Sequence, residues 1–281
     1  MACLRKRFHL LSLADFRRHL QDRNPFPANS CLVTIDDGWK DNYTYAYPVM
    51  KRYEIPAVIF LSVGHIGTRQ RFWQERIISG LHRIREDSRM DPDISARNRN
   101  LSEGIKIEEL IALPEGKFRM EVREQIRSLK KFPLSRIEPI VHAIEACAGM
   151  TGPPSIEGDS FLSWEEIEKM SRGGIDFGSH GLTHEILTNI AADEVRKEAL
   201  ESRRIIEERI QKSVYAFSYP NGDNDPVVRK CIGECGYEIG FGTCRGFAGP
   251  DDDPLSLKRV NVHDDMTRDV PMFLSSILGM I

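Results

Sequence analysis

The chain has 281 residues, long enough to bury a substantial core as one large domain or two small ones. Its 39 basic and 42 acidic residues leave a formal net charge of −3, which gives no whole-protein argument for nucleic acid or another polyanion, and none is expected as partner. No apolar run approaches the ~18 residues of a membrane span, and Phe8-His9-Leu10-Leu11 is too short for the core of a signal peptide.

Ser12 and Asp15 read as a helix start that caps Leu13 to Gln21. Asn24-Pro25-Phe26-Pro27 then breaks the chain before the β-branched run Cys31 to Ile35, a short buried strand that ends abruptly at Asp36-Asp37-Gly38-Trp39. Asp-Gly is a common turn dipeptide, but side chains alternate along a strand. The two carboxylates can therefore serve one site only if the backbone turns there, which the glycine permits. Tyr43 to Tyr53 reads as a helix, with Ala46, Val49 and Met50 on one side, and Ala57 to Leu61 as a second strand.

Residues from about 68 to 160 differ in character, being rich in Arg, Lys and Glu and without a convincing strand. Helices are expected near Phe72–Arg85, Lys117–Lys130 and Ser135–Cys147, the last with Ser135 and Glu138 as a capping box. Asp87 to Gly104 reads as a polar loop, and Gly152-Pro153-Pro154 closes what looks like a helical insertion within a single domain spanning residues 1–281. Alternation then resumes. Ser163 and Glu166 open a helix to about Ser171, and a strand over Gly174–Ser179 ends in His180. Val195, Ala199, Ser202, Ile206 and Ile210 mark an amphipathic helix over Ala192–Gln211. A strand over Val214–Ser218 ends in Tyr219-Pro220-Asn221-Gly222. A helix over Pro226–Glu234, a strand near Tyr237–Phe241 and a strand from Leu257 to Val262 ending in His263 complete the chain. This regular alternation predicts an α/β fold with a parallel sheet, open or closed into a barrel.

Parallel βα units place all strand C-termini on one face, where such folds put their sites. Asp36-Asp37, His180 with His184, the Tyr219–Gly222 turn and His263 all follow strands, so topology alone gathers them. His180-Gly181-Leu182-Thr183-His184 could be a helical pair at i and i+4, but its glycine and its place after a strand favour a loop. Two histidines and a carboxylate suit Zn²⁺ or a similar divalent ion, with Asp37 available to complete the set. The competing structural reading makes one histidine a helix cap and the other a solvated side chain. The histidines at 9, 19, 65, 82 and 142 read as structural or surface. The six cysteines are scattered, and Cys231 with Cys235 has no second pair like it, which argues against a structural zinc site. Reduced thiols in a cytoplasmic protein are the expectation, unless a leader has been lost; the oligomeric state is left open.

Taken in order, Thr34-Ile35-Asp36-Asp37-Gly38, Ser179-His180-Gly181-Leu182-Thr183-His184, Phe217-Ser218-Tyr219-Pro220-Asn221-Gly222 and Val260-Asn261-Val262-His263 resemble the motifs of the polysaccharide deacetylase family. This is the NodB-like domain of carbohydrate esterase family four, and the resemblance runs from about residue 12 to 265, apart from the insertion. It implies a distorted (β/α)₇ barrel and metal-dependent removal of acetyl groups from an N-acetylated sugar or polysaccharide. By the same resemblance Asp36 is the general base and His263 the general acid. Asp37, His180 and His184 bind a divalent metal, Zn²⁺ first, with Co²⁺, Mn²⁺ or Ni²⁺ as alternatives. Tyr219, Pro220 and Asn221 shape the pocket, with the Asn221 N–H directed at the oxyanion. Two departures stand out. Many members carry an arginine that pairs with the base where this chain has Ser218, a loss shared by a subgroup with Tyr-Pro-x-Gly at this turn. The short stretch before Asp36 also suggests that an N-terminal strand is absent.

The period of two along Leu257–His263 puts Arg259, Asn261 and His263 on one face. If His263 points into the mouth, Arg259 lies below it, where a buried arginine requires a carboxylate partner. Asp36 is one candidate and Asp176 its rival; a solvated strand end is the alternative. Two other functions stay open: a metal amidohydrolase acting on a small non-sugar amide, and a glycan-binding relative without catalysis, for which Ser218 is the one favourable feature.

Overall fold

The computed structural model of the protein describes residues 1–90, 107–150, 160–263, 267 and 269–279. The chain divides into two compact units, residues 1–68 with 160–281, and residues 69–159. In the first, helix α1 (Ala2–Arg7) leads into strand β1 (His9–Leu10) and helix α2 (Leu13–Gln21), whose N-cap Ser12 accepts the Asp15 N–H. Strand β2 (Ser30–Cys31) pairs in parallel with β1, and after Leu32 the same extended run becomes β3 (Val33–Ile35) and joins a second sheet. One strand path therefore serves two sheets.

Helix α3 (Tyr47–Arg52) is preceded by a π-helical turn over Asn42–Ala46, where the sequence pattern suggests one continuous α-helix. Pro48 accounts for the difference: it has no N–H to donate to the carbonyl four residues back, and its ring crowds that carbonyl, so the turn before it widens. Strand β4 (Ala57–Leu61) follows and is buried at every residue. A strand covered on both faces reads as an unbroken apolar run.

The second unit is helical in its described part: α4 (Trp73–Met90), α5 (Ile107–Ile111), α6 (Glu115–Leu129) and α7 (Leu134–Cys147). It has its own core, with Ile77, Leu81 and Ile84 of α4 against Phe118, Val122, Val141 and Ile144. The expected capping box at Ser135 is not formed. The helix starts one residue earlier with Pro133 at the N-cap, and Glu138 instead pairs with Arg76 of α4 at 2.7 Å. The predicted loop over 87–104 is helical as far as Met90; the rest of it, like Gly152-Pro153-Pro154, lies outside the described residues.

The first unit continues with α8 (Trp164–Arg172), opened by the capping box of Ser163 and Glu166, then β5 (Asp176–Ser179) and α9 (Ala192–Ile210). Strand β6 (Ala216–Ser218), α10 (Pro226–Glu234), β7 (Ile239–Arg245), β8 (Leu257–Arg259) and α11 (Val270–Ile277) complete it. Strands β3 to β8 lie in sequence order in one sheet with every neighbouring pair parallel. The sheet curls into a half-barrel, an α/β fold of the distorted-barrel type. Val58, Phe60, Ala216, Ile239, Phe241 and Leu257 pack from the sheet against Leu13, Phe16 and Leu20 of α2. Strand β8 stops at Arg259, short of the expected Val262, and Asn261 and His263 are exposed beyond its end. Among the described residues, no helix is long and apolar enough to cross a membrane.

At Gly178 in β5 the neighbouring strands leave no room for a side chain. A Cβ there would lie 2.4 Å from the Phe60 ring and 2.8 Å from the Ala216 carbonyl. Gly178→Ala should therefore lower the unfolding free energy by about 1–3 kcal/mol, read from the midpoint of urea denaturation at unchanged m-value.

Candidate active site

Three of the loops that carry motif residues, after β3, β5 and β6, contain backbone that side-chain-bearing residues seldom adopt. After β3 the turn begins one residue before the glycine: Asp37 has φ +75° and Gly38 φ +83°. The Gly38 N–H donates to the Asp36 carbonyl at 3.0 Å, so Asp37 is the centre of a γ-turn. This reversal is what turns two successive carboxylates towards one site. His184 stands at φ +62° and Asn221 at φ +60°. Tyr219-Pro220-Asn221-Gly222 is a type II turn, with proline at its second position, Asn221 left-handed at the third, and the Gly222 N–H on the Tyr219 carbonyl at 2.8 Å.

These turns bring three ligand atoms, one each from Asp37, His180 and His184, within 4.8 Å of one another. Asp37 Oδ1 lies 3.3 Å from His180 Nε2 and 3.5 Å from His184 Nε2. The other oxygen, Oδ2, accepts the Trp39 indole N–H at 3.0 Å, and the indole is stacked on Phe161 with 4.2 Å between centroids. His180 Nδ1 sits 2.6 Å from the Ser218 carbonyl. A carbonyl can only accept, so Nδ1 carries the proton and the neutral ring turns a lone pair on Nε2 towards Asp37.

Two acceptors facing each other at that distance call for a cation between them. Burial lowers the His180 imidazole, but Asp37, Asp36 and the Ser218 carbonyl outweigh it and hold it above its usual range. His184 falls below its usual range because burial, with the neighbouring His180, prevails. Burial also opposes ionisation of Asp37, yet the two imidazoles hold its carboxyl well below the ordinary carboxylate range. The donor set of two imidazole nitrogens and one carboxylate oxygen, with the His180 tautomer fixed from behind, thus fits a divalent ion.

Asp36 is held quite differently. The Arg259 guanidinium grips it with two parallel hydrogen bonds, Nη1 to Oδ1 at 2.9 Å and Nη2 to Oδ2 at 2.8 Å. The remaining donors reach the Gly242 carbonyl at 2.9 Å, Thr34 Oγ1 at 3.2 Å and Ser218 Oγ at 3.1 Å. All five N–H groups of the arginine are therefore used. Burial pushes the Asp36 carboxyl up, but His180 and Arg259 more than offset this and keep it below its usual range. Asp176 is not the partner; its carboxyl is pushed up by burial, with the Leu13 backbone N–H and Lys212 opposing this only in part.

Comparison with known proteins gives these features a family. The model described as "Polysaccharide deacetylase" matches residues 23–99 and 140–240, more than half of the chain. The chain belongs to the polysaccharide deacetylase family. Among curated relatives, protein YxkH of Bacillus subtilis is 21% identical over 248 residues, covering 88% of this chain and 56% of that protein. Poly-beta-1,6-N-acetyl-D-glucosamine N-deacetylase of Staphylococcus aureus is 37% identical over 57 residues, 20% of this chain and 19% of that enzyme. The chain thus spans little more than half of the first relative's length and about a fifth of the second's. Among solved structures, Streptococcus pyogenes deacetylase PplD in complex with acetate has the same fold, with TM-score 0.60 and 15% identity over 98% of this chain and 82% of that one.

Not every motif residue gathers at the cluster. Tyr219 is wholly buried and its hydroxyl donates to the Leu255 carbonyl at 2.8 Å, so its side chain supports the turn from beneath. Asn221 is exposed; its side-chain amide donates to Asp223 Oδ2 at 2.6 Å and its carbonyl accepts from Thr243 Oγ1 at 3.1 Å. His263 lies past β8 with an exposed ring, and its carbonyl accepts the Thr267 hydroxyl at 2.6 Å. Trp39 and the Ser218 carbonyl were not marked as site groups by the sequence pattern, because a backbone acceptor has no residue signature and the tryptophan reads as one more apolar residue. Ser218, where many family members have an arginine, instead offers an acceptor to an arginine from another strand.

The Arg259–Asp36 pair is partly buried, at 15% and 28% side-chain exposure, so removing one partner leaves a poorly solvated charge. Arg259→Met should lower the unfolding free energy by about 2 kcal/mol, less than the 3–5 of a fully buried pair. In a double-mutant cycle, Asp36→Asn in the same chain should recover part of that loss, read by chemical denaturation.

Proposed function

We propose that this chain is a divalent-metal-dependent hydrolase that removes N-acetyl groups from an N-acetylated sugar or polysaccharide. The observation that carries the reading is a division of labour within one turn. Asp36 is gripped by a guanidinium, while Asp37, next to it, faces two imidazole nitrogens. Membership of the polysaccharide deacetylase family and the name of the staphylococcal relative support an N-acetylated glycan as the substrate class.

Asp37 Oδ1, His180 Nε2 and His184 Nε2 would hold the ion. When bound, a divalent metal there supplies Lewis-acid polarisation of the amide carbonyl and makes water more acidic. Asp36 takes a proton from the water as its oxygen bonds to the carbonyl carbon. Arg259 suits it to that task, keeping the carboxylate ionised and fixing which lone pairs stay available to the proton. The Asn221 N–H, at the apex of the type II turn, is the donor proposed for the oxyanion. The C–N bond then breaks as the leaving nitrogen gains a proton, the task assigned to His263, and acetate and a free amine result. An exposed imidazole can regain its proton from solvent between turnovers.

His184→Ala should reduce bound divalent metal more than about tenfold in elemental analysis of the purified protein, since losing a ligand costs more than losing a residue that supports one. Full occupancy in that variant would remove the three-ligand assignment. Asp36→Asn should keep its metal but release acetate from N-acetylhexosamine oligomers on the order of 10²-fold more slowly, and His263→Ala should show a loss of similar order. Wild-type turnover in both would refute the acid–base assignment.

A further inference from the structure

His180 and His184 are anchored unequally. His180 continues strand β5, with its N–H on the Leu61 carbonyl at 2.9 Å and its ring on the Ser218 carbonyl. His184 belongs to no strand or helix and stands in left-handed backbone, so its position is set by the three residues between the two histidines. Those residues are clamped from two sides. On one side, the carbonyls of Gly181 and Leu182 accept the N–H groups of Val63 and Gly64 at 3.1 and 2.7 Å, just after β4. On the other side stands Glu198 of α9, a carboxylate only 8% exposed. Its Oε2 accepts the N–H of Leu182 at 2.6 Å and of Thr183 at 2.9 Å, and its Oε1 accepts the Thr183 hydroxyl at 2.7 Å. Two successive backbone N–H groups converging on one oxygen form an anion-binding concavity, here filled by the protein's own side chain. Gly181 completes the fit: at φ +80°, a Cβ there would meet Glu198 Oε2 at 3.0 Å.

We propose that Glu198 is a positioning residue of the candidate metal centre, its carboxylate holding the 181–183 loop in the one conformation that turns His184 Nε2 towards Asp37. This inference rests on the reading of Asp37, His180 and His184 as a divalent-metal site. The hydrogen bonds of Glu198 go to Leu182 and Thr183, so it acts on the site through the backbone that carries His184. A buried glutamate in mid-helix would be costly without these three donors, and the Leu182 and Thr183 N–H groups would lose their shared acceptor without Glu198.

The hydrogen-bond pattern yields a discriminating series. A glutamine at 198 can accept both N–H groups on its carbonyl oxygen and donate its amide to the Thr183 hydroxyl, which reverses to accept. Alanine can do neither. Zn²⁺ affinity is measured by titration calorimetry on the full chain, with circular dichroism of the metal-free proteins to check the fold. Glu198→Ala should bind Zn²⁺ about 10–100-fold more weakly than wild type, and Glu198→Gln within about threefold of it. Unchanged affinity in the alanine variant, or equal loss in both variants, would overturn the proposal. Should Glu198→Ala fail to fold, Thr183→Val removes a single donor and should still weaken binding by about threefold or more; wild-type affinity there would overturn it equally. A wild-type chain that binds no Zn²⁺ refutes the metal reading itself, whereas tight wild-type binding unaffected at position 198 refutes only the role of Glu198.

Discussion

The guanidinium of Arg259 holds together parts of the protein that the backbone ladder leaves apart. Among the described residues, hydrogen bonding between strands runs from β3 through β8 and does not return from β8 to β3. Arg259 sits on the last strand, yet bonds Thr34 on β3 and Asp36 just after it, Ser218 at the end of β6 and the Gly242 carbonyl of its neighbour β7. A planar fork with five fixed donors can satisfy all these acceptors at once only if the sheet is curled, so the arginine and the half-barrel specify each other. It is also what makes a partly buried carboxylate at Asp36 tolerable as an anion.

Ser218 ties that arginine to the candidate metal cluster. Its hydroxyl accepts from Arg259 and its carbonyl accepts from His180, so one residue orients the proposed base from one atom and a proposed ligand from another. The loops around them are joined by backbone as well: the Ser62 N–H meets the Asp37 carbonyl at 3.3 Å, and the His180 N–H meets Leu61. Such bracing is the condition under which unfavourable backbone survives, and left-handed Asp37, His184 and Asn221 all lie on these turns. Beneath these turns, β4 is buried along its whole length and β6 likewise.

Much of this was legible in the chain. The run Ala57–Leu61 is apolar at every position because both faces of a parallel strand are covered, and it is a strand with those bounds. The caps at Ser12 and Ser163 formed because a side-chain oxygen and a free helical N–H three residues apart need nothing from the rest of the fold. Ser135 failed as a cap because Pro133 starts the helix earlier and Glu138 finds an arginine distant in sequence. The grouping of Asp37 with His180 and His184 followed from topology, since parallel strands deliver their ends to one side.

What sequence by itself determined is therefore whatever local spacing dictates: the alternation of strand and helix, and the residues at which β3, β4, β5 and β6 end. What only the tertiary structure decided is which of those residues meet. Asp36 and Asp176 were both plausible partners for Arg259, and the curl of the sheet chose Asp36. The γ-turn is centred on Asp37 and not on the glycine after it, because the neighbouring loops support a conformation that the local chain would avoid. Glu198 reads in sequence as one more charged residue in a charged helix, although it stands beside the apolar stripe of Val195, Ala199 and Ser202. Its partners are backbone N–H groups of a loop, and no residue pattern encodes where a loop will present them.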